Sequence, residues 1–260
     1  MEISPIDMDM KLFVSPKKVI YFLLSLIFII HLASLSMQAL HLLVNPNSSI
    51  LSALAKIFSV NQEGNLPSLY SSMSLLFCSF LLGIIAFSKK NEKDRYAFHW
   101  GALSLIFLFL SWDEAVEIHE KLSFTPLAAE ILNFLGVQKT GIFAFSWIVI
   151  AMPLVFLMGL AYVKFFLSLS FRQKRLFLSA ISLFLFGAIG MEMVGGLIFS
   201  SFSKESLPYI ISTGLEELFE MLGVAVFIYA LLLQLNSSAK EVKFIFDNRS
   251  LSSHKKYFLD

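Results

Sequence analysis

Cysteine is nearly absent. The one present, Cys78, excludes an intrachain disulfide, and it stands inside an apolar run where a thiol packs as a small hydrophobe. Charge is scarce as well: Asp, Glu, Lys and Arg make up 15% of the 260 residues, against about 25% in soluble domains. The net charge of +1, with no basic stretch interleaved with aromatics, gives no footprint for nucleic acid. What the chain has instead is apolar sequence. It is 57% hydrophobic, with 28 Phe and a mean hydropathy of +0.76. That excess is gathered into blocks of about 20 residues or more, the length that crosses a hydrocarbon core of roughly 30 Å.

The expected fold is all-α: a polytopic membrane bundle of six transmembrane helices, with two short amphipathic helices on its outer side. Spans are expected at 19–44, 67–87, 96–122, 142–169 (with Pro153 inside it), 176–200 and 208–235. The first run is too long for the apolar core of a cleavable signal, which is about 7–15 residues, and it reads as a retained helix. Residues 48–60 and 126–135 are amphipathic and too short to span. Three regions follow: a polar segment 1–18, a membrane domain 19–235 and a polar tail 236–260.

Lysine and arginine set the orientation. With six spans, one side holds Lys11, Lys17, Lys18, Lys89, Lys90, Lys93, Arg95, Lys164, Arg172, Lys174, Arg175 and the five basic residues of the tail. The other holds Lys56, Lys121, Lys139 and Lys204. The bias places both termini in the cytoplasm, and a bacterial inner membrane is the default location.

Against this background the acids stand out. Trp112-Asp113-Glu114-Ala115-Val116-Glu117-Ile118-His119-Glu120 closes the third span, Glu216-Glu217-Leu218-Phe219-Glu220 lies in the sixth, and Glu192 lies in the fifth. At about 1.5 Å per residue, all three groups fall in the outer half of the membrane, Asp113 roughly 26 Å from the cytoplasmic face. A continuous helix at about 100° per residue puts Asp113, Glu117 and Glu120 on one face and Glu216 with Glu220 on another, with Glu114, His119 and Glu217 aimed elsewhere. His31, Ser34, Gln38 and His41 form a polar stripe on the first span, with His41 level with Glu117 or Glu120. Gly187, Gly190, Gly195 and Gly196 surround Glu192 and permit close helix approach.

A charge at a helix centre in the bilayer costs at least about 2.5–3.5 kcal/mol, and such residues face the bundle interior. Without basic partners at that depth, the carboxyl groups must be protonated, face water or bind a cation. Hard oxygen ligands suit Mg, Ca, Mn and iron. The expected ligands of a divalent metal ion are Asp113, Glu117, Glu192, Glu216, Glu220 and His41, with Glu114 or Glu217 as general base. Carboxylates meeting from antiparallel helices follow the logic of di-iron bundles, but those use Glu-x-x-His, and here Glu120 follows Glu117.

The reading is therefore a metal-dependent membrane enzyme acting on a lipid-like substrate. A cation- or proton-coupled transporter or channel is the alternative, and a non-enzymatic assembly or sensor subunit is the second. Membrane lipids are the expected partners; the oligomeric state is open.

Overall fold

A computed structural model describes residues 15–44, 47–62, 64–204 and 206–238. The expected N-terminal segment and tail therefore fall almost entirely outside the described residues. Among these, the regular structure is all helical, and five helices are long and apolar enough to cross a membrane. The helices are α1 (Pro16–Leu43), α2 (Ser49–Phe58), α3 (Leu66–Asn91), α4 (Ala97–Val116), α5 (Ile118–Leu122), α6 (Pro126–Phe134), α7 (Ile148–Ser168), α8 (Phe171–Leu185), α9 (Glu192–Phe199) and α10 (Leu207–Ser238). A π-helical segment, Phe186–Met191, joins α8 to α9. The five apolar helices are α1, α3, α7, the continuous α8–α9 unit and α10. At 20 residues, α4 is long enough to cross, but Asp113 and Glu114 lie in its last turn.

Helix α10 is the central member. It packs on α1, α3, α8, α9 and the π segment. Its C-terminal half supplies Met221, Val224, Ala225, Phe227, Ile228, Ala230, Leu231 and Leu232 to a dry core. Leu23, Ile27 and Ile30 of α1, Cys78, Leu81, Leu82 and Ile85 of α3, Trp100 and Leu103 of α4, Phe165 of α7, and Phe177 and Ala180 of α8 join that core. The apposition of α8 and α10 depends on Gly223, where a Cβ would meet Phe184 N at 2.7 Å and Ala180 O at 2.9 Å.

The α3–α4 hairpin is held by hydroxyls. Ser72 Oγ donates to Ser111 O (2.8 Å) and Ser111 Oγ to Ser72 O (2.8 Å). Seven residues further along each antiparallel helix, Ser79 Oγ donates to Ser104 O (2.7 Å) and Ser104 Oγ to Ser79 O (2.8 Å). Two reciprocal pairs at constant register fix the sliding of one helix on the other, and small polar residues are the usual glue between helices in lipid.

Helix α7 docks on α4 through rings. Phe165 meets Trp100 edge-on at 4.9 Å and stacks on His99 at 5.7 Å, while Tyr162 Oη donates to His99 O (3.1 Å). Most of its remaining surface, including Leu154, Phe156, Leu157 and Leu160, is exposed apolar area suited to lipid.

Both short segments expected between the spans contain a helix, α2 and α6. Helix α2 folds back onto α1. Val60 N–H donates to Ser34 Oγ (3.1 Å), which also accepts from Gln38 Nε2 (3.0 Å), so the polar stripe of α1 is partly spent on holding α2. Asn65 completes the attachment. It caps α3, and its amide Nδ2 donates to Ser59 O and Gln62 O, both at 2.6 Å, and to Lys56 O at 3.1 Å.

A candidate acidic cavity

Above the dry core the helices diverge around a cavity of about 790 Å³. Three chain segments bring acids to it, and each does so by a different local device.

The first is a break in the third apolar run. Glu117 adopts φ 58°, ψ 45°, the left-handed conformation, and separates α4 from α5. Asp113 organises the break. Its backbone carbonyl accepts from Glu117 N–H (2.7 Å), its Oδ1 accepts from His119 N–H (2.8 Å), and its Oδ2 faces His119 Nδ1 at 3.1 Å. A short acidic side chain that captures a nearby backbone N–H competes directly with helix continuation. The expected continuous helix to Leu122, and with it the shared face of Asp113, Glu117 and Glu120, is corrected by this turn. Glu114, Glu117, His119 and Glu120 all line the cavity, whereas Asp113 is not among its lining residues and serves His119. His119, expected to aim elsewhere, lies edge-on to Trp147 at 5.2 Å on the cavity wall.

The second device is the π segment. One residue more per turn than the α pattern rotates everything after it, which re-aims Glu192 relative to α8. Gly187, at the start of the segment, lets it touch α10: a Cβ there would lie 2.7 Å from Glu220 Cγ and 2.8 Å from Glu216 O. Glu192 Oε1 accepts from Trp147 Nε1 (3.1 Å), and Glu192 and Glu216 line the same cavity. Gly196 serves another approach, its absent Cβ falling 2.6 Å from Gly141 O.

The third is regular helix. The N-terminal half of α10 presents Tyr209, Thr213, Glu216, Glu217 and Glu220 to the cavity along one broad face. Glu217 and Glu114, expected to aim away from the cluster, both line the same space.

The remaining wall comes from α1, through Gln38 and His41, and from α2 and its following turn, through Lys56, Asn61 and Gln62. His41 Nδ1 and Asn61 Oδ1 are buried without a hydrogen-bond partner. The basic residues on the lining are Lys56 and Lys204. Lys204 also sits over the Phe199 ring at 5.7 Å. Of the expected site residues, Glu117, Glu192, Glu216, Glu220, His41, Glu114 and Glu217 are thus brought to one cavity. Among the described residues, no group of three or more His, Cys, Asp or Glu side chains stands close enough together to hold a metal ion.

Fold and cavity together define a class: a membrane-embedded helical bundle with an acid-lined pocket at one end. The chain belongs to the family described as a domain of unknown function, DUF8692, whose profile matches residues 20–235. Neither a functionally curated protein nor a solved structure matches it.

Proposed function

We propose that the protein is a six-span membrane protein with both termini in the cytoplasm, α4 being the sixth span. In this reading the acidic cavity opens to the non-cytoplasmic side of a bacterial inner membrane, with α2 and α6 at that surface, and holds a divalent cation used in chemistry on a lipid-like substrate. The observation that carries the reading is the convergence of seven glutamates from α4, α5, α9, α10 and the α4–α5 turn on one space, with two lysines on its lining. That imbalance in a membrane domain calls for a cation, water or protons. A volume of about 790 Å³ is the size of an organic ligand site, so an ion there would share the space with a substrate.

Glu192 and Glu216, which reach the cavity from α9 and α10, are the natural first ligands. Mg²⁺ is commonly held by one or two carboxylates and keeps several waters, so a preformed set of three protein ligands is not required for it. Glu220, Glu117 and His41 lie on the same cavity and would complete the shell directly or through water. Glu114 or Glu217 would serve as general base. Asp113 is reassigned from ligand to holder of His119.

Transport is the second reading, and one observation favours it. A small cavity behind Glu114 and Glu220 extends the polar lining toward α3. Beyond it stand Leu81, Leu82 and Ile85, all buried, which favours a site open on one side.

Elemental analysis of the purified protein is the test. Stoichiometric divalent metal, lost in Glu192→Gln and Glu216→Gln, supports the site. Metal-free protein that fails to take up Mg²⁺ or Mn²⁺ at millimolar concentration would sink it. Cation flux in liposomes abolished by the same substitutions would move the assignment to transport.

A further inference from the structure

The small cavity is a separate feature with its own chemistry. It measures about 10 Å³ and is lined by Tyr70, Ser71 and Ser74 of α3, Glu114 of α4 and Glu220 and Met221 of α10, among others. A space of about 10–15 Å³ is what one water molecule needs, provided that it finds two to four polar partners. Five of the nine residues lining it carry polar side chains. Tyr70 and Ser74 lie one helical turn apart on α3. Ser71 Oγ is buried and has no partner. A buried hydroxyl left unsatisfied keeps its desolvation cost, and it is rarely tolerated where a water could fit.

We infer that this cavity is a binding site for one ordered water, held by Ser71 Oγ and bridging Glu114 and Glu220 between α3, α4 and α10. Glu114 and Glu220 line both this cavity and the large one, so the water sits directly behind the acidic wall. It satisfies the orphaned Ser71 hydroxyl. It also connects a carboxyl group on α4 with one on α10, giving protons a route between the two sides of the pocket that avoids the pocket itself. Tyr70 and Ser74 lie beside the site, and the apolar side chains of Leu75, Phe184 and Val224 close it off from the core below. Its existence does not depend on what fills the larger space.

Hydroxyl-radical footprinting by X-ray radiolysis reads such a water directly, because radicals form at ordered waters and oxidise adjacent side chains. The full-length protein in detergent, in water labelled with ¹⁸O, would be exposed and digested for mass spectrometry. Met221, which is 2% exposed and lines only the small cavity, is the reporter. It is expected to take up ¹⁸O despite its burial, and Ser71→Val, which fills the space with methyl groups, is expected to lower that uptake several-fold while exposed Met73 and Met152 are unchanged. Unlabelled Met221 in the wild type, or equal labelling in Ser71→Val, overturns the inference. Should Ser71→Val fail to fold, Ser71→Ala decides by sign. Loss of a water's partner lowers Tm, whereas removal of a hydroxyl from a dry cavity raises it and refutes the site.

Discussion

Three glycine-to-alanine substitutions separate packing from site geometry. At Gly223 the added Cβ would meet Phe184 N at 2.7 Å, Ala180 O at 2.9 Å and Phe184 Cβ at 2.9 Å. Two of these are backbone atoms of α8 that cannot swing away, so the helices must part. Overpacking of this kind costs about 1–3 kcal/mol. The same change gains about 1 kcal/mol of helix propensity. The net expectation for Gly223→Ala is a loss of about 0–2 kcal/mol, or a fall in Tm of up to about 8 °C for a chain of this size. Gly159, in α7, has nothing within 4 Å of its Cβ position, so Gly159→Ala should raise Tm by about 2–4 °C. Gly187→Ala should resemble Gly223→Ala in stability, since Glu216 O is 2.8 Å and Glu220 N 3.0 Å from the new atom. It differs in what moves: the displaced segment of α10 carries three of the cavity carboxylates, Glu216, Glu217 and Glu220. The assay is thermal unfolding in detergent followed by intrinsic fluorescence, paired with Mn²⁺ titration. Gly187→Ala should weaken cation binding, and Gly223→Ala and Gly159→Ala should leave it near the wild-type value. If Gly223→Ala is as stable as Gly159→Ala, the close α8–α10 approach is wrong, and the placement of Glu192 against α10 falls with it.

Glu117→Gly tests the helix break. A non-glycine residue in the left-handed region costs about 1–2 kcal/mol, so glycine should raise Tm by a few degrees while removing a cavity acid; a fall in Tm refutes the turn. Glu192→Gln keeps an acceptor for Trp147 Nε1 and should leave stability within about 1 kcal/mol, whereas Glu192→Ala loses that bond and should shift the tryptophan emission. Equal spectra for the two variants would count against the contact. Asn65→Ala deletes three amide-to-carbonyl bonds and the α3 cap and should cost about 1–3 kcal/mol. Hydrogen exchange should rise across 56–62 in that variant, and unchanged protection there would show that α2 is held by other means.

The helical class was legible because apolar blocks of spanning length have few other uses. The convergence of acids was legible too, from depth alone: 1.5 Å per residue is a reliable ruler along any helix. Angles were not. A helical wheel assumes an unbroken α pattern, and both acid-bearing helices ahead of α10 violate it, one at Glu117 and the other across Phe186–Met191. That is why His119 and not Asp113 lines the cavity, whereas Glu114 and Glu217, on regular stretches of α4 and α10, line it because the cavity spans a broad face of each helix. Some signal for the first break was present, since Asp113 lies six residues before His119 in a cluster of residues that compete for backbone N–H groups. Nothing comparable marked Trp147 as the partner of Glu192, because a tertiary contact across 45 positions leaves no periodic trace. The role of α2 was half visible. Its amphipathic pattern announced a surface helix, and only its return onto Ser34 made it a wall of the cavity.

Both irregularities occur at the same end of the bundle, and lipid makes that coincidence informative. A left-handed residue frees helix carbonyls, and a π turn loosens them; in hydrocarbon each unsatisfied group costs several kcal/mol. Non-helical backbone at membrane depth persists where it is buried in protein or lines a watery space. Glu117 stands on the cavity wall and Glu192 follows the π segment directly onto it. The α3–α4 hairpin below the cavity, by contrast, is regular and locked by serine pairs. Of the two left-handed non-glycine residues among the described ones, Lys93 lies in the α3–α4 turn and Glu117 on the cavity; the second, with the π segment, bends the backbone where acids are aimed, as expected when side-chain direction is what the backbone serves. A purely structural role for the carboxylates would place no such demand on the backbone, because protonated glutamates on unbroken helices could order the bundle equally well.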